Sequence, residues 1–119
     1  MILGLRTAVY ACPDLAAGKA FYAAVAGHAP YFDEPFYVGF AVGGFELGLV
    51  PDGRPRSGAF WGTDDIDAEA ARLAGLGAVL AEGGIQDVGG GIRAAEFRDP
   101  FGNTFGLIHN PHFDPTAVR

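Results

Sequence analysis

The side chains best suited to metal or nucleophilic chemistry are few and lie far apart in the sequence. His109 and His112 are three residues apart around Pro111, which outside a regular helix is a weak indication of a metal site and is more typical of a polar surface turn. His28 follows a glycine in a predicted loop and is expected to be solvated. Cys12 is the single cysteine, so it forms no internal disulfide. We expect it to be buried and to pack as a small apolar residue. These four residues predict no catalytic cluster.

The clearest local signal is a turn near the C-terminal end. Within Arg98–Asn103, Asp99, Pro100 and Gly102 occupy the first, second and fourth positions of a type I β-turn. Strand-forming residues flank the turn on both sides. The segment is therefore predicted to be a β-hairpin.

Two segments of helix length carry the same start and stop signals, 50 residues apart (64 − 14 = 50). An aspartate offers an N-cap before each one, and a glycine ends each one. The cap, helix and stop are Asp14, Leu15–Ala26 and Gly27 in the first copy, and Asp64, Ile66–Leu76 and Gly77 in the second. The repeat predicts two modules of the same design.

Strand-like runs complete each module. They are Leu5–Cys12, Pro30–Asp33, Phe36–Val42 and Phe45–Val50 in the first half, and Ala59–Thr63, Ala78–Glu82 (or on to Val88), Ile92–Arg98 and Thr104–His109 in the second. The predicted fold is α+β, with two βαβββ modules that form curved mixed sheets around a cleft and carry their helices on the outer faces. We expect a single domain over 1–119, with modules at about 1–50 and 57–110, a joint at 51–56 and an irregular tail at 111–119.

Composition narrows the function. A chain of 119 residues that is 50% hydrophobic is large enough for one packed core. A net charge of −6 and the lack of a basic cluster argue against nucleic acid or an anionic membrane as a partner. The sequence shows neither a membrane-span pattern nor a signal-peptide pattern. With one cysteine, it is predicted to be cytoplasmic.

The sequence resembles the vicinal oxygen chelate superfamily, which includes glyoxalases, bleomycin-resistance proteins and extradiol dioxygenases. The resemblance rests on Asp14–Tyr22, where Asp-Leu begins a helix and a Phe-Tyr pair follows, and on the DPFGN turn at 99–103. The superfamily's architecture of paired βαβββ modules matches the predicted duplication. Relatives commonly form homodimers, and exposed sheet edges are a physical reason to expect the same here.

The resemblance also indicates where metal-dependent relatives place their ligands. Those four positions fall on Thr7, Glu46, Gly58 and Gly106. Only Glu46 is a strong donor, and a single carboxylate does not hold a transition metal against water. We therefore predict no metal and no cofactor.

Strand alternation then predicts which residues line the cleft. With those positions directed inward, the predicted ligand-binding residues are Thr7, Val9, Glu46, Gly48, Gly58, Phe60, Gly62, Thr104, Gly106 and Ile108, with Leu5 and Val50 on the same face. The many glycines predict a roomy pocket, unless other side chains fill the space they leave. The opposite face, with Phe45, Leu47, Leu49, Trp61, Phe105 and Leu107, is expected to be core.

Two functions remain open from the sequence. One is a metal-independent binding protein that captures a small aromatic or cationic compound. The other is a lyase, isomerase or epimerase of the same superfamily that uses Glu46 as its acid or base. Glu46 is the tentative catalytic residue of the second hypothesis, and it is equally a candidate for a structural role.

Overall fold

A computed structural model describes residues 1–114 and 116. The first half consists of β1 (Thr7–Ala11), α1 (Leu15–Ala26), β2 (Phe32–Glu34), β3 (Tyr37–Val42) and β4 (Phe45–Val50). The second consists of β5 (Ser57–Gly62), α2 (Ile66–Leu76), β6 (Val79–Leu80), β7 (Gln86–Gly89), β8 (Ile92–Arg98) and β9 (Thr104–His109). The α+β class and the duplicated strand–helix–strands design are confirmed.

Each half forms one mixed sheet. The first has the strand order β1-β4-β3-β2, and the second has the order β5-β9-β8-β6, with β7 also paired to β8. In both sheets the first strand runs parallel to the last, β1 beside β4 and β5 beside β9. The second half has one strand more than predicted, because a turn over residues 81–85 separates β6 from β7.

The helices begin and end where capping chemistry predicts, with one correction. Asp14 caps α1 by accepting from the backbone N–H of Ala17 (3.1 Å), whereas the cap of α2 is Asp65 and not Asp64. The Asp65 carboxylate accepts a hydrogen bond from the N–H of Ala68 (3.1 Å), and the backbone N–H of Asp65 donates to Thr63 Oγ1. Both helices end at glycines with positive φ, where a side chain would be strained.

One apolar core lies between the helices and the sheets. Its largest fully buried side chains include Tyr10, Tyr22, Phe40 and Phe97. Leu47, Leu49, Phe105 and Leu107 are buried as predicted, but Phe45 is exposed and Trp61 is half-buried. Cys12 is buried among apolar groups, and this burial, with the nearby Asp99, raises the pKa of its thiol to about 12.

The predicted tail is only partly described. Residues 111–114 and 116 contain no helix or strand, while Pro115 and 117–119 lie outside the described residues. Residues 1–114 and 116 contain two helices, α1 and α2, and neither has the length and apolar character needed to cross a bilayer.

Candidate functional site

A cleft of about 610 Å³ lies between the two halves. It is bordered by the beginnings of β1 and β4, by β5, and by the end of β9. Its volume falls within the usual range for small-molecule sites, about 300–1,000 Å³. Most of its wall is apolar, and the lining residues include Leu5, Phe45, Phe60, Trp61, Ile108 and Phe113.

Half of the predicted ligand-binding residues line this cleft. They are Thr7, Glu46, Phe60, Gly62 and Ile108. Val9 and Thr104 lie farther along the same strands, outside its lining. Gly48, Gly58 and Gly106 are also outside the lining, and each lies against an aromatic ring.

The expectation that these three glycines leave room for a ligand is corrected by those rings. A Cβ on Gly106 would lie 2.4 Å from the Phe60 ring and 3.0 Å from the Ala95 carbonyl oxygen. A Cβ on Gly48 would lie 2.6 Å from Cζ of Tyr37. The space left by each glycine is therefore filled by protein.

Gly58 is displaced from its predicted face by an irregularity in β5. Ser57 pairs with Thr104 and Phe60 with Gly106, so three steps on β5 match two steps on β9. This bulge breaks the strict alternation on which the prediction depended. A side chain at Gly58 would point at the buried Tyr10 ring, with its Cβ 2.4 Å from the ring.

Glu46 accepts hydrogen bonds from three hydroxyl groups. Thr7 donates to its Oε1 at 3.0 Å, Tyr37 donates to the same oxygen at 2.9 Å, and Tyr31 donates to Oε2. We call these four residues the Glu46 cluster. Thr7 and Glu46 face each other as register partners on β1 and β4, while the two tyrosines come from β3 and from the residue preceding β2.

These contacts fix the charge state of the cluster. Partial burial raises the pKa of Glu46, but the three hydroxyl hydrogen bonds outweigh it, and the net pKa is lower than usual. Burial and the contact with Glu46 raise the pKa of Tyr37 to about 12, and the hydrogen bond to Glu46 also raises the pKa of Tyr31. Near neutral pH the cluster is therefore one carboxylate surrounded by neutral donors.

The cluster does not fit the metal site of metal-dependent relatives. Two of the four ligand-equivalent positions are Gly58 and Gly106, which have no side-chain donor. At a third position, Thr7 directs its hydroxyl at Glu46. Within residues 1–114 and 116, histidine, cysteine, aspartate and glutamate side chains form no group of three or more that would hold a metal ion. His109 and His112 contact backbone carbonyls, those of Thr63 and Gly90.

A second cavity of about 200 Å³ lies beside α2 and shares Val42, Trp61 and Gly62 with the cleft. It is smaller than a typical ligand site. Arg72, on its wall, already donates to Glu69 and to the carbonyl oxygens of Ala24 and Val25. We therefore take the larger cleft as the candidate site.

The paired modules and the cleft between them define a vicinal oxygen chelate fold. The chain belongs to the glyoxalase-like family, because the family model of the glyoxalase-like domain matches residues 7–108. No curated protein matches the sequence.

Solved structures support both the fold and the family. TnmS3, an antibiotic binding protein from Streptomyces sp. CB03234, is 30% identical with a TM-score of 0.72, over 91% of this chain and 96% of that one. A glyoxalase/bleomycin resistance protein/dioxygenase superfamily member from Sphaerobacter thermophilus is 26% identical with a TM-score of 0.74, over 92% and 99%. A lactoylglutathione lyase from Agrobacterium tumefaciens has a TM-score of 0.77 at 20% identity, over 96% and 100%, which shows the fold alone.

Proposed function

We propose that the protein binds a small aromatic or cationic molecule in the cleft without a metal ion, and so sequesters it. The observation that carries this proposal is the cleft of about 610 Å³, whose apolar wall includes one carboxylate, Glu46. Apolar walls with a few placed polar groups are the usual composition of small-molecule sites. TnmS3, at 30% identity, is described as an antibiotic binding protein, which adds support.

The geometry of Glu46 weighs against the alternative lyase, isomerase or epimerase. A general base needs a pKa near the working pH. The pKa of Glu46 is lowered instead, and hydrogen bonds from three hydroxyl groups already occupy three of the roughly four lone-pair sites of its carboxylate. Tyr31 and Tyr37 hold their protons more firmly than free tyrosine does. The cluster is better suited to attracting a ligand than to moving a proton.

The proposal extends to assembly and location. Large apolar side chains are exposed at Met1, Ile2, Leu3, Phe36 and Val79, among others. Such side chains, together with the edge strands of the two sheets, favour a homodimer, which sedimentation velocity would detect as twice the mass of the chain. The buried single cysteine supports a cytoplasmic location.

A thermal-shift screen with EDTA present tests the binding proposal. The panel contains aromatic amines, neutral aromatic compounds and antibiotics, and any ligand that prefers the native state raises the melting temperature. Gly62→Leu fills the cleft, because the space around a Cβ at Gly62 is open. Gly53→Leu adds the same side chain where the surroundings are also open, in the segment that joins the two halves.

We expect hits with the wild-type protein and with Gly53→Leu, and their loss in Gly62→Leu. Hits that persist in Gly62→Leu would place the site elsewhere. A stoichiometric transition metal that survives dialysis and is needed for every hit would overturn metal-independent binding.

A further inference from the structure

The Glu46 carboxylate carries a negative charge that the described residues do not neutralise. Its three partners are neutral hydroxyl groups. None of the ion pairs within residues 1–114 and 116 includes it. Arg6 also lines the cleft with its positive charge, but it forms none of those ion pairs, and its guanidinium donates to the carbonyl of Leu5 at 3.3 Å. An unneutralised carboxylate at the wall of an apolar cleft attracts a cation more strongly than one in open solvent.

Three aromatic rings form a group beside this charge, and two of them contact it through their hydroxyls. The centroid of Phe32 lies 6.3 Å from that of Tyr31 and 6.0 Å from that of Tyr37. Both tyrosine rings belong to the Glu46 cluster, and Tyr31 is 64% exposed. Aromatic rings grouped with a carboxylate are an arrangement that recognises organic cations in other proteins.

Two glycines hold the tyrosines in place. A Cβ on Gly39 would lie 2.8 Å from Glu46 Oε2 and 3.0 Å from the Tyr31 ring, and a Cβ on Gly48 would displace Tyr37. Gly39 and Gly48 are register partners on β3 and β4. Their missing side chains let both rings lie against the sheet with their hydroxyls on Glu46.

From this arrangement we propose that the Glu46 cluster, with the ring of Phe32, binds a substituted ammonium group whose apolar remainder lies in the cleft. The inference rests on the proposed small-molecule binding and specifies its ligand class. An inorganic cation would need several oxygen ligands, whereas three of the groups here are hydroxyls already directed at one carboxylate. Apolar substituents on the nitrogen match both the rings and the cleft wall.

Two probes that have the same shape but differ in charge test whether the positive charge of the ligand is recognised. (3-Hydroxyphenyl)trimethylammonium and 3-tert-butylphenol differ in one atom, a cationic nitrogen in place of carbon. We would measure both by isothermal titration calorimetry on the full chain with EDTA present. The wild type should bind the ammonium about tenfold more tightly than the phenol. Raising the NaCl concentration from about 20 mM to about 500 mM should weaken the binding of the ammonium probe and leave the affinity for the phenol unchanged.

Variants assign the effect to the cluster. Glu46→Gln should remove the preference for the ammonium and leave the phenol within about twofold. Tyr31→Leu should weaken the ammonium several-fold, while Tyr31→Phe keeps the ring and most of the affinity. Glu82→Gln removes an equal charge from an exposed turn of the second half and should change neither affinity. Circular dichroism checks that each variant is folded.

The outcomes separate the two proposals. If the phenol binds as tightly as the ammonium, or if Glu46→Gln keeps the preference, the ammonium inference is wrong and small-molecule binding stands. If neither probe binds at millimolar concentration, while the screen also gives no ligand, both proposals fail.

Discussion

The side-chain amide of Asn103 pairs with the backbone of Ala11 through two hydrogen bonds. Asn103 Oδ1 accepts from the N–H of Ala11 at 2.9 Å, and Nδ2 donates to its carbonyl at 2.7 Å. Asn103 ends the DPFGN turn of the second half, and Ala11 ends β1 of the first. The same amide also contacts Asp99 and the N–H of Arg56. A single buried side chain therefore ties the two halves together at the end of β1.

Asn103→Ala should be strongly destabilising. It leaves the buried N–H and carbonyl of Ala11 without their side-chain partner and removes one of the hydrogen bonds to the Asp99 carboxylate, which costs about 3 kcal/mol or more of the free energy of unfolding. Asn110→Ala, just after β9, is the control, because the hydrogen bond that this side chain accepts within residues 1–114 and 116 comes from the exposed N–H of His112. Urea denaturation of both variants measures the difference. Equal stability of the two would contradict the role assigned to Asn103.

Two glycines of β5 should respond differently to alanine. Gly58→Ala forces a Cβ against the fully buried Tyr10 ring and should cost about 1–3 kcal/mol. Gly62→Ala enters open space and should change the free energy of unfolding by less than about 0.5 kcal/mol. Urea denaturation of the two proteins in parallel is the measurement. A tolerant Gly58 and a sensitive Gly62 would mean that the faces of β5 are assigned the wrong way round.

The helices offer a second pair of glycines. A Cβ on Gly18 in α1 would lie 2.5 Å from Cys12 Sγ and 2.6 Å from its Cβ, so Gly18→Ala should destabilise the protein by about 1–3 kcal/mol. Gly75 in α2 has open space around it, so Gly75→Ala should stabilise by about 0.5–1 kcal/mol through helix propensity. Thermal unfolding measures the sign of each change. A Gly18→Ala variant as stable as the wild type would count against the close approach of α1 to Cys12, and a destabilised Gly75→Ala variant would count against open space at Gly75.

Acid should remove a stabilising contribution of Glu46. Its folded-state pKa is lower than usual, so its ionised form is favoured by folding. That contribution is complete above the unfolded pKa of about 4.3, and it disappears as the pH falls through the folded pKa. The stability gap between the wild type and Glu46→Gln should be constant from about pH 5 to 7 and shrink below about pH 4. A gap that grows in acid would show that the pKa is raised instead.

The sequence predicted the fold well because its signals are local. Glycines stop both helices, and the DPFGN turn fixes the β8–β9 hairpin, in which Gly102 N–H donates to the Asp99 carbonyl. The N-cap of α2 was misplaced because Asp64 and Asp65 are adjacent and both can cap. Only the backbone geometry selects Asp65.

The site was predicted in part, because alternation along a strand reports faces but not neighbours. It placed Thr7, Glu46 and Phe60 on one cleft. It did not find Tyr31, which precedes β2, or Tyr37 of β3, whose hydroxyls reach Glu46 over Gly39 and Gly48. Of the two interpretations of the strand glycines, filling by other side chains holds at Gly48, Gly58 and Gly106, which accommodate aromatic rings of the same chain, while the space at Gly62 is open.

The most direct test of the proposed ligand site is an amide chemical-shift map of ¹⁵N-labelled protein titrated with 3-tert-butylphenol in EDTA. Binding in the cleft predicts the largest shifts at the amides of Thr7, Phe60 and Ile108. Largest shifts at Ala26 and Arg72, which line the smaller cavity, would contradict it. So would the lack of saturable shifts with this phenol, with the ammonium probe and with every hit of the thermal-shift screen.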